Sequence, residues 1–137
     1  MTRQEIVAKV KELKLPKNSY VVFGSGPLAA AGIREAGDID MYVTKDVLDS
    51  FIQAGWQQVH KGPGDEPYTS GDYEAHANWD FSPYAPTLEH LLETANVIDG
   101  VAFASLEEVR RWKLESGGDK HLADVARIDE YLTNRKR

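Results

Sequence analysis

No cysteine occurs among the 137 residues. Disulfides and thiolate metal centres are therefore excluded, and the expected compartment is the cytoplasm. No apolar run approaches the ~18 residues that a membrane-spanning helix needs, so no membrane association is expected. The opening stretch, Met1 to Leu13, mixes charged and apolar side chains and lacks the apolar segment of a secretory signal. Basic charge is in the minority: 16 Lys and Arg stand against 22 Asp and Glu, a net charge of −6. Such a chain is a poor general binder of nucleic-acid backbone, which is held by clustered Lys and Arg. It suits a site that gathers divalent cations. The basic residues cluster only at Arg110, Arg111 and Lys113 and at Arg135, Lys136 and Arg137, and the second cluster reads as a solvated tail. No internal repeat or low-complexity segment interrupts the chain, and its length fits a single domain, residues 1–137.

What is present is an alternation of helical and strand patterns. Thr2-x-x-Glu5 is a capping box, followed by Ile6, Val7, Val10 and Leu13 at helical spacing, and that helix must stop before Pro16. Tyr20 to Phe23 is a short run of β-formers closed by Gly24, which predicts a buried strand. Pro27 suits the first turn of a helix supplied by Leu28 to Ile33, so Gly24-Ser25-Gly26 is a strand-to-helix turn. Asp38 to Val43 reads as a second strand. Lys45 to Ala54 reads as a helix with Val47, Leu48, Phe51 and Ile52 on its apolar face, ending at Gly55. Trp56 to His60 predicts a third strand, residues 61–67 a loop, Asp72 to Trp79 a fourth strand and Thr87 to Ala95 a helix. Asp99-Gly100 between two apolar pairs predicts a hairpin. Ser105-x-x-Glu108 is a second capping box, and a final helix from Asp119 carries Leu122, Val125, Ile128 and Leu132 on one stripe. The expected class is α+β: a small mixed sheet with helices packed on one face, plus C-terminal helices.

The chemistry concentrates in two places. A strand that ends in Gly24-Ser25 and passes at once into a helix presents backbone N–H groups and a positive dipole end, which together favour phosphate. Ser25 adds a hydroxyl donor. Asp38 and Asp40 lie at i and i+2 of a strand, so their carboxylates share one face, with Cβ atoms about 6 to 7 Å apart. Paired oxygen ligands of this kind grip hard divalent cations. Two metals about 3.5 to 4 Å apart can stabilise both the attacking and the leaving oxygen of phosphoryl transfer. Taken singly, each feature also has an ordinary reading, a turn and a solvent-facing strand.

Together they are more specific. Val21-Val22-Phe23-Gly24-Ser25, twelve intervening residues, then Asp38-Ile39-Asp40 resembles the signature of the polymerase-β-type nucleotidyltransferase superfamily: a Gly-Ser turn, a short helix and an Asp-x-Asp strand. The likeness is greatest to the small "minimal" prokaryotic members. Residues 20–44 carry the diagnostic match. The runs Phe103 to Lys113 and Asp119 to Asp124 are also similar to uncharacterised relatives of that group. The resemblance implies that Ser25 helps hold a triphosphate and that Asp38 and Asp40 bind magnesium, with two ions in the active complex. It implies a third carboxylate from a later strand. That residue is Glu74, preferred for its strand context, or Asp80. Its role would be to ligate metal and to deprotonate the attacking hydroxyl. A glutamate would depart from the family's usual aspartate.

Leu106, Val109 and Lys113 fall at i, i+3 and i+7, which puts the lysine on the inward stripe of its helix. An inward lysine needs an anion, a triphosphate or Glu74; the alternative is a lysine whose stem packs while its head reaches water. Lys120 and Asp124 can pair at i, i+4. His76 could line the site, and Arg34 could neutralise the acidic pair. Trp79, Tyr73 and Tyr84 could form a stacking platform for a base, although packing is their commoner use. The expected activity is enzymatic: magnesium-dependent transfer of a nucleotidyl group from a nucleoside triphosphate to an acceptor hydroxyl. The acceptor, whether small molecule, RNA end or protein, is not legible. The alternative is a nucleotidyltransferase-fold module without effective turnover, an antitoxin-like partner of another protein.

Overall fold

The computed structural model describes residues 1–79 and 82–135. Its first element follows from the capping box. The Thr2 hydroxyl accepts from Glu5 N while the Glu5 carboxylate accepts from Thr2 N, starting helix α1, Arg3–Glu12. Ile6, Val7 and Val10 are the buried face. Strand β1, Tyr20–Phe23, is buried at every residue, as a central strand must be. Helix α2, Gly26–Ala30, is shorter than the Leu28 to Ile33 pattern suggested. The chain turns away at Ala31, and Ile33 N donates back to Leu28 O at 2.9 Å.

Strand β2, Ile39–Val43, runs antiparallel to β1. Helix α3, Lys45–Gln53, buries Val47 and Phe51 but leaves Ile52 exposed. Strand β3 is Gln57–Gln58, only the middle of the Trp56–His60 segment. Strand β4, Tyr68–Ser70, has no counterpart in the sequence pattern, being three residues beside a Gly- and Pro-rich loop. Strand β5, Tyr73–His76, pairs parallel to β2. Helix α4, Leu88–Glu93, precedes the hairpin of β6, Asn96–Ile98, and β7, Val101–Phe103. Asp99 and Gly100 both take positive φ (51° and 83°) at its tip, as the Asp-Gly pair predicts. Helices α5, Leu106–Ser116, and α6, Asp119–Arg135, complete the chain. Among the described residues the strands form one mixed sheet in the order β3-β4-β5-β2-β1-β7-β6.

Alternation along the strands divides the core. Tyr20, Val22, Ile39, Met41 and Val43 meet α1 and α3 on one face. Val21, Phe23 and Tyr42 meet Leu91 of α4, Leu106 and Val109 of α5 and Ile128 of α6 on the other. The α+β class with a mixed sheet is as expected, and the C-terminal helices occupy the face opposite α1. Two details differ from the helical patterns. Leu122 is exposed, so the α6 stripe rests on Val125 and Ile128. Ser105 caps α5 by accepting from Glu108 N, but the Glu108 side chain does not return to close the box; it accepts from the Tyr84 hydroxyl and pairs with His90 of α4. Among the described residues no helix is long and apolar enough to cross a membrane.

Candidate active site

The register of three strands assembles the site. Phe23, the last residue of β1, lies opposite Asp40 of β2, and Asp40 lies opposite Glu74 of β5. His76, two residues beyond Glu74, shares its face. These side chains point to the same side of the sheet as the C-terminal helices, while Ile39 and Met41 point into the other core. The strand-to-helix turn closes over them. Gly24 takes φ +67°, and an added Cβ there would overlap Asp40 Oδ2. At Gly26 a Cβ would overlap Val22 Cγ1. Glycine at position 24 lets the turn sit directly on the carboxylate, and glycine at position 26 lets it sit against Val22. Ser25 is the N-cap of α2 but its side chain makes no capping bond.

Glu74 lies across from Asp40, while the alternative third carboxylate, Asp80, lies outside the described residues. Asp40, Glu74 and His76 each offer a ligand atom, all within 4.8 Å of one another. Asp38 is half-buried just before β2 and is not in that group, though Glu74 acts on its charge. Asp40 Oδ1 is buried with no hydrogen-bond partner. An orphaned carboxylate oxygen beside a second carboxylate and an imidazole is a donor set that fits a divalent cation.

The electrostatics point the same way. Burial, a hydrogen bond with Glu74 and repulsion from Asp38 push the Asp40 carboxyl well above its usual range. Burial and the charge of Glu74 raise Asp38. Burial also works to raise Glu74, but its bonds to Asp40 and Lys61 prevail and hold it low. His76 is pushed down to about 4 by burial, so its imidazole is neutral at pH 7 and able to ligate. Lys61, from the β3–β4 loop, ion-pairs with Glu74 and is drawn to Asp40 and Asp38 as well. The sequence reading missed Lys61, because it stands in a stretch whose Gly and Pro content marks only a loop. On the same loop, Asp65 Oδ1 is buried without a hydrogen-bond partner, 4.0 Å from His76 Nδ1.

Lys113 is inward as its spacing predicts, with 3% of its surface exposed. Its anion is Asp124 of α6 rather than Glu74, at 3.0 Å, with His121 Nδ1 at 3.3 Å. Asp124 does not pair with Lys120. It is a buried hub that also takes a two-pronged bond from Arg34, at 2.8 and 2.7 Å, and one from Arg127 at 2.9 Å. Arg34 is thus no free surface residue, and its positive charge is felt at Asp38, as that of Lys113 is at Asp40.

No stacking platform forms. Trp79 is 2% exposed and packs against Phe23 at 4.8 Å and His76 at 4.5 Å. Tyr84 is buried under Arg111, and Tyr73 lies on the opposite face with its hydroxyl on Lys9 O. In the first basic cluster Arg110 pairs with Asp129 and Arg111 with Glu115. In the second, Arg135 lies over Tyr131, while Lys136 and Arg137 are outside the described residues. A cleft of about 690 Å³ lies between α2, β6, β7 and α6; Asp38, Asp40 and Glu74 do not line it.

A strand ending in a Gly-Ser turn on a short helix, with Asp38 just before and Asp40 on the next strand of a mixed sheet, belongs to a nucleotidyltransferase-like fold, as the likeness to a solved structure shows. A solved structure with a similar fold is that of ANT(2″)-Ia in complex with adenylyl-2″-tobramycin. The two chains superimpose with a TM-score of 0.56 at 16% identity, over 97% of this chain and 88% of the other. No family model and no curated protein matches the sequence.

Proposed function

We propose that this chain binds a nucleoside triphosphate with magnesium and transfers its nucleotidyl group to an acceptor hydroxyl, releasing pyrophosphate. The observation that carries the reading is the register that sets Glu74 directly across from Asp40, with Gly24 packed on the Asp40 carboxylate. In this reading Asp38, Asp40 and Glu74 hold the metal, two ions in the active complex. The metal would neutralise charge on the phosphates and favour ionisation of the acceptor. Gly24 and Ser25 hold phosphate oxygens through the turn. The acceptor oxygen bonds to the α-phosphorus as the bond to the pyrophosphate oxygen breaks, and the hydroxyl proton passes to Glu74. Lys113 and Arg34 act through their field on the carboxylates, from within the Asp124 network. Rate enhancement then comes from positioning and charge neutralisation.

A small-molecule acceptor fits better than an RNA end. The net charge of −6 disfavours a polyanion, and the structural neighbour holds an adenylylated small molecule. One observation favours the second reading, a nucleotide-binding module without turnover that serves a partner protein: Lys61 already neutralises Glu74. Incubation with each labelled nucleoside triphosphate, magnesium and a panel of hydroxyl acceptors separates the two. Pyrophosphate release that disappears in Asp40→Ala is the expected result. No release with any nucleotide, while the nucleotide still binds, would establish the module instead.

A further inference from the structure

We infer that His76 is a metal ligand, and that with Asp40 and Glu74 it forms a mixed oxygen–nitrogen site that prefers a first-row transition cation, such as Mn2+, over Mg2+. The inference rests on the proposed function for the use of the site but concerns which cation this chain selects.

Three observations carry it. First, the strand register puts Glu74 and His76 on the same face of β5, with Asp40 across from Glu74, so the backbone directs the imidazole to the same side of the sheet as the carboxylates. The ligand atoms of the three residues lie within 4.8 Å of one another, close to the reach of one ion. Second, the imidazole is held in place: His76 is 8% exposed and its ring lies 4.5 Å from the buried Trp79 ring. A ligand fixed this way costs little to order when an ion arrives. Third, two carboxylate oxygens around it, Asp40 Oδ1 and Asp65 Oδ1, are buried without hydrogen-bond partners. Such oxygens are costly unless a cation or a donor is to meet them. Lys61 supplies one positive charge from a loop, paired with Glu74, and leaves both unsatisfied.

The donor set decides the choice of ion. Mg2+ prefers oxygen ligands in a strict octahedron and gains little from nitrogen. First-row transition cations accept imidazole readily and tolerate irregular geometry. A pocket of two carboxylates and one imidazole therefore discriminates between them, whereas the all-carboxylate set of Asp38, Asp40 and Glu74 would not.

The test uses the metals alone, without nucleotide. Mn2+ binding is followed by loss of the free-ion electron paramagnetic resonance signal, and Mg2+ by competition. The expected result is a preference for Mn2+ of at least about tenfold, reduced by roughly tenfold in His76→Asn. Electron spin-echo modulation of the Mn2+-loaded wild type should show an imidazole 14N coupling, a readout that stands even if the variant folds poorly. Absence of bound Mn2+, bound Mn2+ without nitrogen coupling, or an unchanged preference in His76→Asn would each overturn the inference. The two proposals fail separately. Magnesium-dependent pyrophosphate release with no nitrogen coupling leaves the proposed function standing and removes this one. Nitrogen coupling without nucleotidyl transfer does the reverse.

Discussion

Asp40 is the residue on which the proposed site turns, and its burial carries a cost. Its carboxyl is buried, bonded to Glu74 and repelled by Asp38, which raises its pKa in the folded state. A group raised in this way favours the fold at low pH and loses that contribution as pH climbs from the ordinary carboxylate range through the folded value. At pH 7 and without metal, the Asp40 carboxyl thus weakens the fold. Asp40→Asn keeps the shape and can donate to Glu74. It should raise stability by about 1 kcal/mol, a Tm gain of roughly 3 to 5 °C for a domain of this size. The gain should shrink towards pH 4, where the wild-type carboxyl is protonated. Thermal melts of both proteins from pH 4 to 8 in a chelator check this; a less stable Asn variant at pH 7 would mean that Lys61 fully compensates the carboxylate. Asp40, Asp38 and the Gly24-Ser25 turn were readable because their chemistry depends on adjacent residues: an i, i+2 spacing and a turn. Lys61 and Asp65 were not, because a loop carries no periodicity that says where its side chains end up.

At the scale of elements, one buried carboxylate ties α5 to α6, beside their apolar packing and the Arg110–Asp129 pair. Asp124 is held below the usual carboxylate range by its bonds from Arg34 and Lys113, against burial, which raises it. Its contribution to stability is present above the ordinary carboxylate pKa and is lost as pH falls below it. Asp124→Ala leaves the buried Lys113 ammonium without its anion and should cost about 3 to 5 kcal/mol. Lys113→Met should cost far less, about 1 kcal/mol, because Asp124 keeps Arg34 and Arg127. Urea denaturation of both variants measures the asymmetry, and equal losses would refute the hub. Helical spacing was enough to turn Lys113 inward. It could not name the partner, because Asp124 sits on a different helix and Arg34 in a distant loop, and neither helix–helix register nor tertiary pairing is written in a local period. The same limit explains the strands. β1, β2 and the Asp-Gly hairpin carry apolar runs and turn residues of their own. β3 and β4, with exposed or half-buried residues, take strand form from pairing, β3 with β4 and β4 with β5, rather than from composition.

For the whole molecule the question is how a net charge of −6 coexists with carboxylates gathered at one end of three strands. The fold answers with cations of its own, of which Lys113 is buried. Lys61 enters from the β3–β4 loop, while Arg34, Lys113 and Arg127 surround Asp124 behind the site. These charges moderate the repulsion without satisfying Asp40 Oδ1, so on the proposed function the folded state has a place for one more cation. The unfolded chain has no such place, since Asp40 and Glu74 are brought together only by the β2–β5 pairing. Cation binding must therefore stabilise the fold. At a metal concentration about a hundred times Kd the gain is about 2.7 kcal/mol, a Tm rise of several degrees. Calorimetry with increasing Mg2+ or Mn2+ should show that rise, together with its loss in Glu74→Gln. The rise should also weaken with added KCl, because part of the attraction belongs to the acidic molecule as a whole and is screened beyond about 10 Å at 0.1 M salt. A melting temperature unmoved by either metal would assign the carboxylate cluster a structural use only, and would leave the fold without a metal-dependent chemistry.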